Sequence, residues 1–225
     1  MMDRGLFASR GARTKRNWLM VAAVLVILVS CGPVPFNVNV TLFMPPEHLV
    51  GLMPFPDGPH DIPPEATSLG AMTWRLPLHD LRVAVDLSSG LPNGPITEAT
   101  MNIILQTDLD PAGVDVNVDA EAEAAVYLAP ESASDLWQNE WRSGGDSLML
   151  AIGEPASLAV PLTQAQLNAL GAGGIKLGLE IVAPDVGVSG TAEGVLQLEG
   201  FAYAIHEIRI TGTAEPTFPT TISGT

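Results

Sequence analysis

The sequence predicts an all-β fold, an antiparallel β-sandwich with a barrel as the alternative. One or two short helices accompany the strands, and a signal-peptide helix precedes them. Three observations lead to this reading. Apolar and polar residues alternate with period 2 over most of the chain after residue 35, which is strand periodicity. Turn chemistry separates the alternating segments, drawn from 22 glycines and 19 prolines. Helical spacing occurs only near 134–142 and 163–170, and neither stretch is long enough to form a layer.

Before the strands lies a different kind of segment. Arg4, Arg10, Arg13, Lys15 and Arg16 make a basic start, and Trp18 to Val29 is an unbroken apolar run of 12 residues. A bilayer-spanning helix needs about 20 apolar residues, and Gly32-Pro33 prevents extension of this one. The layout is that of a secretory signal. The run ends in Leu28-Val29-Ser30-Cys31, with the only cysteine of the 225-residue chain. These four residues resemble the lipobox of bacterial lipoproteins. The resemblance implies that signal peptide 1–30 is removed and that the Cys31 sulfur carries a diacylglyceryl group, with palmitate-type chains. It implies a membrane partner reached through Cys31. It implies an extracytoplasmic place in the cell envelope, on the outer membrane or the cell surface. Two acyl chains are enough for stable anchoring. A lipidated Cys31 leaves no cysteine for a disulfide or a zinc site.

Five of the ten basic residues and one of the 25 acids lie before Cys31, so residues 31–225 hold 24 acids and 5 bases. So acidic a body excludes nucleic acid as a partner, because phosphate binding needs basic stripes. The expected organisation is one sandwich domain over 31–212 and a flexible tail over 213–225.

The elements follow in order. Phe36, Val38, Val40, Leu42 and Met44 alternate with Asn37, Asn39 and Thr41, a strand beginning five residues after Cys31. Seven prolines then crowd residues 45–70, which read as a long loop or lid, with Met44, Leu49, Leu52, Met53 and Phe55 on its underside. Strands are expected at 71–78, with Trp74, and at 81–87. Residues 97–109 and 114–124 read as a hairpin turning at Asp110-Pro111-Ala112-Gly113. Its register pairs Leu109 with Val114, Leu105 with Val118 and Met101 with Ala122. Trp137 and Trp141 share a face of the short helix and cap the core or stack on sugars. Ser143-Gly144-Gly145-Asp146 reads as a turn before a strand through Leu148, Leu150 and Ile152. Strand 157–162 leads into a capping box, Thr163 with Gln166, and a helix to about Leu170 stopped by Gly171. Ile175, Leu177, Leu179 and Ile181 mark a strand with Lys176, Gly178 and Glu180 on its other face. In 194–211 the two parities are mixed, which suggests burial on both faces or a bulge near Gly200.

Chemistry is sparse. His48, His60, His79 and His206 form no local metal-ligand pair, and there is no nucleophile elbow or phosphate loop. The expectation is a protein without catalytic residues, cofactor or strong metal site. Its role would be structural or interactive in the envelope, with a protein partner; the alternative is a lipid- or carbohydrate-binding module. The outer face of the predicted hairpin, with Asp108, Asp115, Asp119, Glu121 and Glu123, is at most a weak cation site, centred on Asp108, Asp115 and Asp119.

Overall fold

A computed structural model describes residues 32–63, 65–78, 85–86, 94–110, 116–172, 174–190 and 196–215. Cys31, the signal segment and most of the expected strand 81–87 lie outside them. The fold is an all-β sandwich. Its sheets are antiparallel and do not close into a barrel.

The first sheet is built on the longest strands, β7 (Ile96–Asp110) and β15 (Gly200–Ala214). β11 (Pro155–Pro161) flanks β7, while β1 (Val34–Asn39) and β2 (Val50–Pro54) follow one another along the far edge of β15. β1 runs from Val34 against Ala214 to Asn39 against Arg209, and β2 resumes with Val50 against Ala204. Between them the chain leaves the ladder in two 3-10 turns, Val40–Phe43 and Pro46–His48. The strand expected to reach Met44 therefore stops at Asn39. The Asn39 carboxamide caps the turn by accepting from the Thr41 N–H, and Thr41 Oγ1 accepts from the Ile208 N–H at 2.7 Å. Pro45 and Pro46 offer no ladder donor, which keeps the excursion out of the sheet.

The second sheet runs β10 (Arg142–Met149), β9 (Glu121–Pro130), β12 (Gly174–Ala183) and β5 (Met72–Pro77). Val85–Asp86, here β6, also pairs with β12. Two small sheets complete the topology: β4 (Thr67–Ser68), β13 (Gly187–Gly190) and β8 (Val116–Asp119), and β3 (His60–Ile62) with β14 (Leu196–Leu198).

Alternation decides which residues meet between the main sheets. Met101, Ile103, Leu105 and Leu109 of β7 are buried, as are Ala122, Ala124, Val126 and Leu128 of β9 and Ile175, Leu177, Leu179 and Ile181 of β12. One side of the sandwich is closed by aromatic packing. Trp74 of β5 donates its indole N–H to the Pro54 carbonyl and meets Phe201 edge-on, and the Phe55 ring also meets Phe201 edge-on. On the other side the Asp146 carboxylate on β10 accepts from the Ala159 N–H on β11 at 3.1 Å. Helix α1 (Gln164–Gly171) closes one end. Its capping box forms as expected, with the Thr163 N–H donating to Gln166 Oε1 at 2.8 Å. The buried Gln166 also donates Nε2 to the carbonyls of Val126 and Trp141, which ties the helix to β9.

Several expectations are corrected. Residues 97–109 and 114–124 do not form a hairpin. β7 pairs with β15 and β11, β8 with β13, and β9 with β10 and β12. Asp108 is in register with Ala202, and Leu105 with Ile205 and Ala156. Alternation specifies an inward face but not a neighbour. Placing the two strands in opposite sheets turns both apolar faces into one core. It also puts Asp108 and Glu121 with Glu123 on opposite outer faces, where the carboxylates no longer confront each other.

The lid reading of 45–70 fails as well. The segment contains β2, β3 and β4, and Met44, Met53 and Phe55 are core residues, whereas Leu52 is exposed. Ser143 to Asp146 lies inside β10 and is a bulge, not a turn. Buried Ser143 places its hydroxyl 3.0 Å from both the N–H and the carbonyl of Val126, in place of the backbone pairing lost there. The bulge in β15 falls at His206, not Gly200. The register slips between Ile205 and Glu207, so Phe201 and Ile205 face inward before it and Ile208 and Ile210 after it. That slip accounts for the mixed parity of the sequence. β15 continues through Ala214, two residues into the expected tail; 216–225 lies outside the described residues. No helix among the described residues is long and apolar enough to cross a membrane.

Candidate functional site

The outer face of the second sheet carries the densest polar arrangement among the described residues. Strand β12 directs Ile175, Leu177, Leu179 and Ile181 into the core, so Lys176, Gly178 and Glu180 face outward. Register places Glu180 between Arg75 of β5 and Ala125 of β9, and Gly178 between Pro77 and Tyr127. Arg142 of β10 stands opposite Tyr127. Ala125 and Gly178 are small, which leaves room for longer side chains to converge on the Glu180 carboxylate.

Three groups reach it. Arg75 Nε donates to Oε2 at 2.8 Å, the Tyr127 hydroxyl to Oε1 at 3.2 Å, and Arg142 Nε to Oε1 at 3.4 Å. Arg142 also reaches Glu123 through Nη2 at 3.4 Å. The Glu180 side chain is only 8% exposed while that of Arg75 is 52% exposed, so a buried carboxylate holds a half-exposed guanidinium in place. Two of the five basic residues after position 31 thus converge on one acid.

Segment 131–141 folds back over this face. Leu136 is buried with Tyr127 and Ala129, and Ala133, Trp137 and Trp141 pack around them. Trp137 meets Tyr127 edge-on at 4.9 Å, and the Arg75 guanidinium lies 5.4 Å from the Trp137 ring centroid. Gly178 makes the approach possible, because a Cβ there would stand 2.7 Å from Trp137 Cη2 and 2.9 Å from Leu136 Cδ2. Lys176 pins the same segment by donating Nζ to the Ala133 carbonyl. Among the described residues every buried side-chain nitrogen and oxygen has a hydrogen-bond partner.

The electrostatics follow from this geometry. Burial pushes the Glu180 carboxyl up, but the hydrogen bond and charge of Arg75, with Arg142 and Tyr127 adding to them, outweigh it and hold the group below the usual carboxylate range. Burial, followed by the neighbouring Glu180 charge, raises the Tyr127 hydroxyl. Hydrogen bonding to Glu180 raises Arg75 against the opposing effect of burial. The result is a fixed carboxylate with each oxygen engaged, which organises cations and aromatic rings around it.

The residues expected to hold lipid or a cation do not come to this site. Cys31 and Asp115 lie outside the described residues. Asp108 is on β7 and accepts from its neighbour, the Leu109 N–H, at 2.8 Å. Asp119 ends β8 in register with Gly187, in a different sheet from Asp108. No group of three or more His, Cys, Asp or Glu among the described residues is placed to hold a metal ion. The two tryptophans join a satellite core on the outer face of the second sheet, and not the open end of the main core. Surface concavities among the described residues are open to solvent. One, of about 580 Å³, lies between Thr97, Glu98, Leu162 and Leu167 near α1; another, of about 460 Å³, is lined by Glu121, Glu123 and Asp146.

The Arg75–Glu180–Tyr127–Arg142 arrangement was not found from sequence. The available signal was a strand with Lys176 and Glu180 amid apolar residues, in a chain with few bases to spare.

No family model matches the chain, and no curated protein matches it. Among solved structures it is similar to the Clostridium thermocellum endo-1,4-beta-D-xylanase 10B CBM22-1-GH10 modules complexed with xylohexaose. That likeness has 10% identity and a TM-score of 0.27, over 77% of this chain and 30% of that one. It is also similar to the infectious bursal disease virus Gx strain structure, with 6% identity and a TM-score of 0.21 over 83% of this chain and 38% of that one. The chain spans well under half the length of either, and at these TM-scores neither likeness carries an argument.

Proposed function

We propose that the protein is a lipid-anchored β-sandwich of the bacterial cell envelope, that it binds a partner there, and that it catalyses no reaction. Lipidation of Cys31 after removal of 1–30 would hold it to the membrane on the extracytoplasmic side. The observation that carries the binding role is the Arg75–Trp137 patch. A half-exposed guanidinium lies over a partly exposed indole; a buried carboxylate holds the guanidinium and the Tyr127 ring on which the indole packs, on an otherwise acidic body. Arginine and tryptophan are the side chains that most often dominate binding energy when fixed in advance. Within the patch, Glu180 accepts from three donors, which suits it to positioning Arg75 and Tyr127.

A protein partner is the first reading. Carbohydrate is the second, favoured by the same observation, since Trp137 offers an apolar ring beside hydrogen-bonding Arg75. The test is capture from detergent-solubilised envelope with the intact protein and with Trp137→Ala, after both are shown to melt alike. An envelope protein retained by the first and lost by the second supports the reading. Retention of only the monomer, together with glycan binding abolished by Trp137→Ala, transfers the role to carbohydrate; failure of both defeats the patch. Mass spectrometry of the mature chain tests the anchor separately, by the diacylglyceryl mass on Cys31.

A further inference from the structure

Six large apolar side chains are exposed among the described residues, and five of them, Val34, Leu42, Phe43, Val50 and Leu52, belong to one edge of the first sheet. This edge is the broken strand β1–β2 with the excursion between its halves. Leu42 is 80% exposed at the tip of that excursion. Val50 and Leu52 lie on the outer face of the edge strand, in register with Ala204 and Ala202, whose small side chains extend the apolar surface. The margin is also nearly free of charge. Residues 32–56 contain Glu47 as their only Asp, Glu, Lys or Arg, while residues 31–225 hold 24 acids.

We infer that this margin lies along the bilayer, so that the sandwich rests on its β1–β2 edge and does not stand on end. The inference rests on the anchor proposed above, and continuity with that anchor identifies the occupant. Val34 follows Cys31 by three residues, a reach of about 10 Å at ~3.3–3.6 Å per residue. The apolar margin therefore begins within about 10 Å of the lipidated residue. From there it follows β15, whose 15 residues extend about 45 Å at ~3.3 Å each. Standing on end would leave Leu42 and Val50 well above the headgroups. Lying on the edge places Leu42 and Phe43 in the interfacial layer, as monotopic proteins place their apolar faces, and turns the acidic surface toward water. A second strand is a poorer occupant, since Pro33, Pro35, Pro45, Pro46, Pro54 and Pro56 punctuate the margin and proline edges resist strand addition.

The test uses the mature lipidated protein reconstituted into phosphatidylcholine–phosphatidylethanolamine vesicles carrying nitroxide-labelled lipid. Lipidation blocks the Cys31 thiol, so Leu42→Cys, Val50→Cys and a control, Glu154→Cys beside the opposite edge strand β11, each present one labelling site for an environment-sensitive fluorophore. All three positions are exposed, which spares the fold. Labels at 42 and 50 are expected to shift to the blue and to be quenched severalfold more than the label at 154. Equal, weak quenching at all three sites on an anchored protein would overturn the edge-down orientation alone. Disulfide-linked dimers through Leu42→Cys, with labels insensitive to lipid nitroxide, would assign the margin to a second copy and overturn it too. A free Cys31 thiol in the mass spectrum would defeat the anchor, and this inference with it.

Discussion

The Glu180 arrangement makes the most demanding prediction. Glu180→Ala removes the acceptor for three donors at once. The Tyr127 ring is 2% exposed, so its hydroxyl is left buried without a partner, at a cost of about 1–3 kcal/mol. Arg75 is 52% exposed and can be rehydrated, so its lost bond is discounted to about 1 kcal/mol or less. Arg142 keeps Glu123 and loses only a 3.4 Å contact, again at the low end of ~0.2–1 kcal/mol. Together these give about 1–4 kcal/mol. At roughly 2–4 °C per kcal/mol for a chain of this size, the melting temperature should fall by about 2–16 °C. Urea unfolding followed by tryptophan fluorescence measures it, and Tyr127→Phe completes a cycle. Tyr127→Phe alone should cost about 1 kcal/mol. In the Glu180→Ala background it should cost nothing or restore stability, because the orphaned hydroxyl is then gone. Strict additivity, or a Glu180→Ala penalty below about 0.5 kcal/mol, would refute the claim that this carboxylate organises the face.

The remaining predictions concern the same sheet and its closure. Because Glu180 titrates below its ordinary value, its contribution is fully present above about pH 4.3 and is lost as pH falls through the lowered folded value. Melts on acidification should therefore show a component in that window that Glu180→Gln removes. Gly178→Val should drive Trp137 and Leu136 off the sheet, since even a Cβ would lie 2.7 Å from the indole. A loss of about 1–3 kcal/mol and a red shift of tryptophan emission are expected, and neither should follow Gly144→Ala, where nothing lies within 4 Å of the added carbon. Gln166→Ala breaks the capping box and removes the side-chain donor to the Trp141 carbonyl, while the Val126 carbonyl keeps the Ser143 hydroxyl. It should cost about 2–4 kcal/mol, against a few tenths for Gln164→Ala on the exposed side of α1; denaturant midpoints compare the two.

What the sequence determined by itself is local. Period 2 identified the inward faces of β7, β9 and β12, and the Thr163–Gln166 spacing specified α1 and its cap. Each of these depends on residues a few positions apart, and the backbone geometry that reads them is the same in any fold. Partner choice is not of that kind. Any strand with an apolar face satisfies any other, so the expected hairpin through Asp110 gave way to β7 and β9 in opposite sheets, with both apolar faces turned into one core and the carboxylates apart. The His206 bulge, Ser143 in place of a ladder bond, and the proline-rich stretch folded as β2, β3 and β4 are likewise decided by what lies across the sheet. So is the candidate site. Arg75, Tyr127, Arg142 and Glu180 come from four strands and up to 105 positions apart, and only register brings them together. Their meaning as a site depends on burial, which leaves the Glu180 carboxylate little water and makes it find partners.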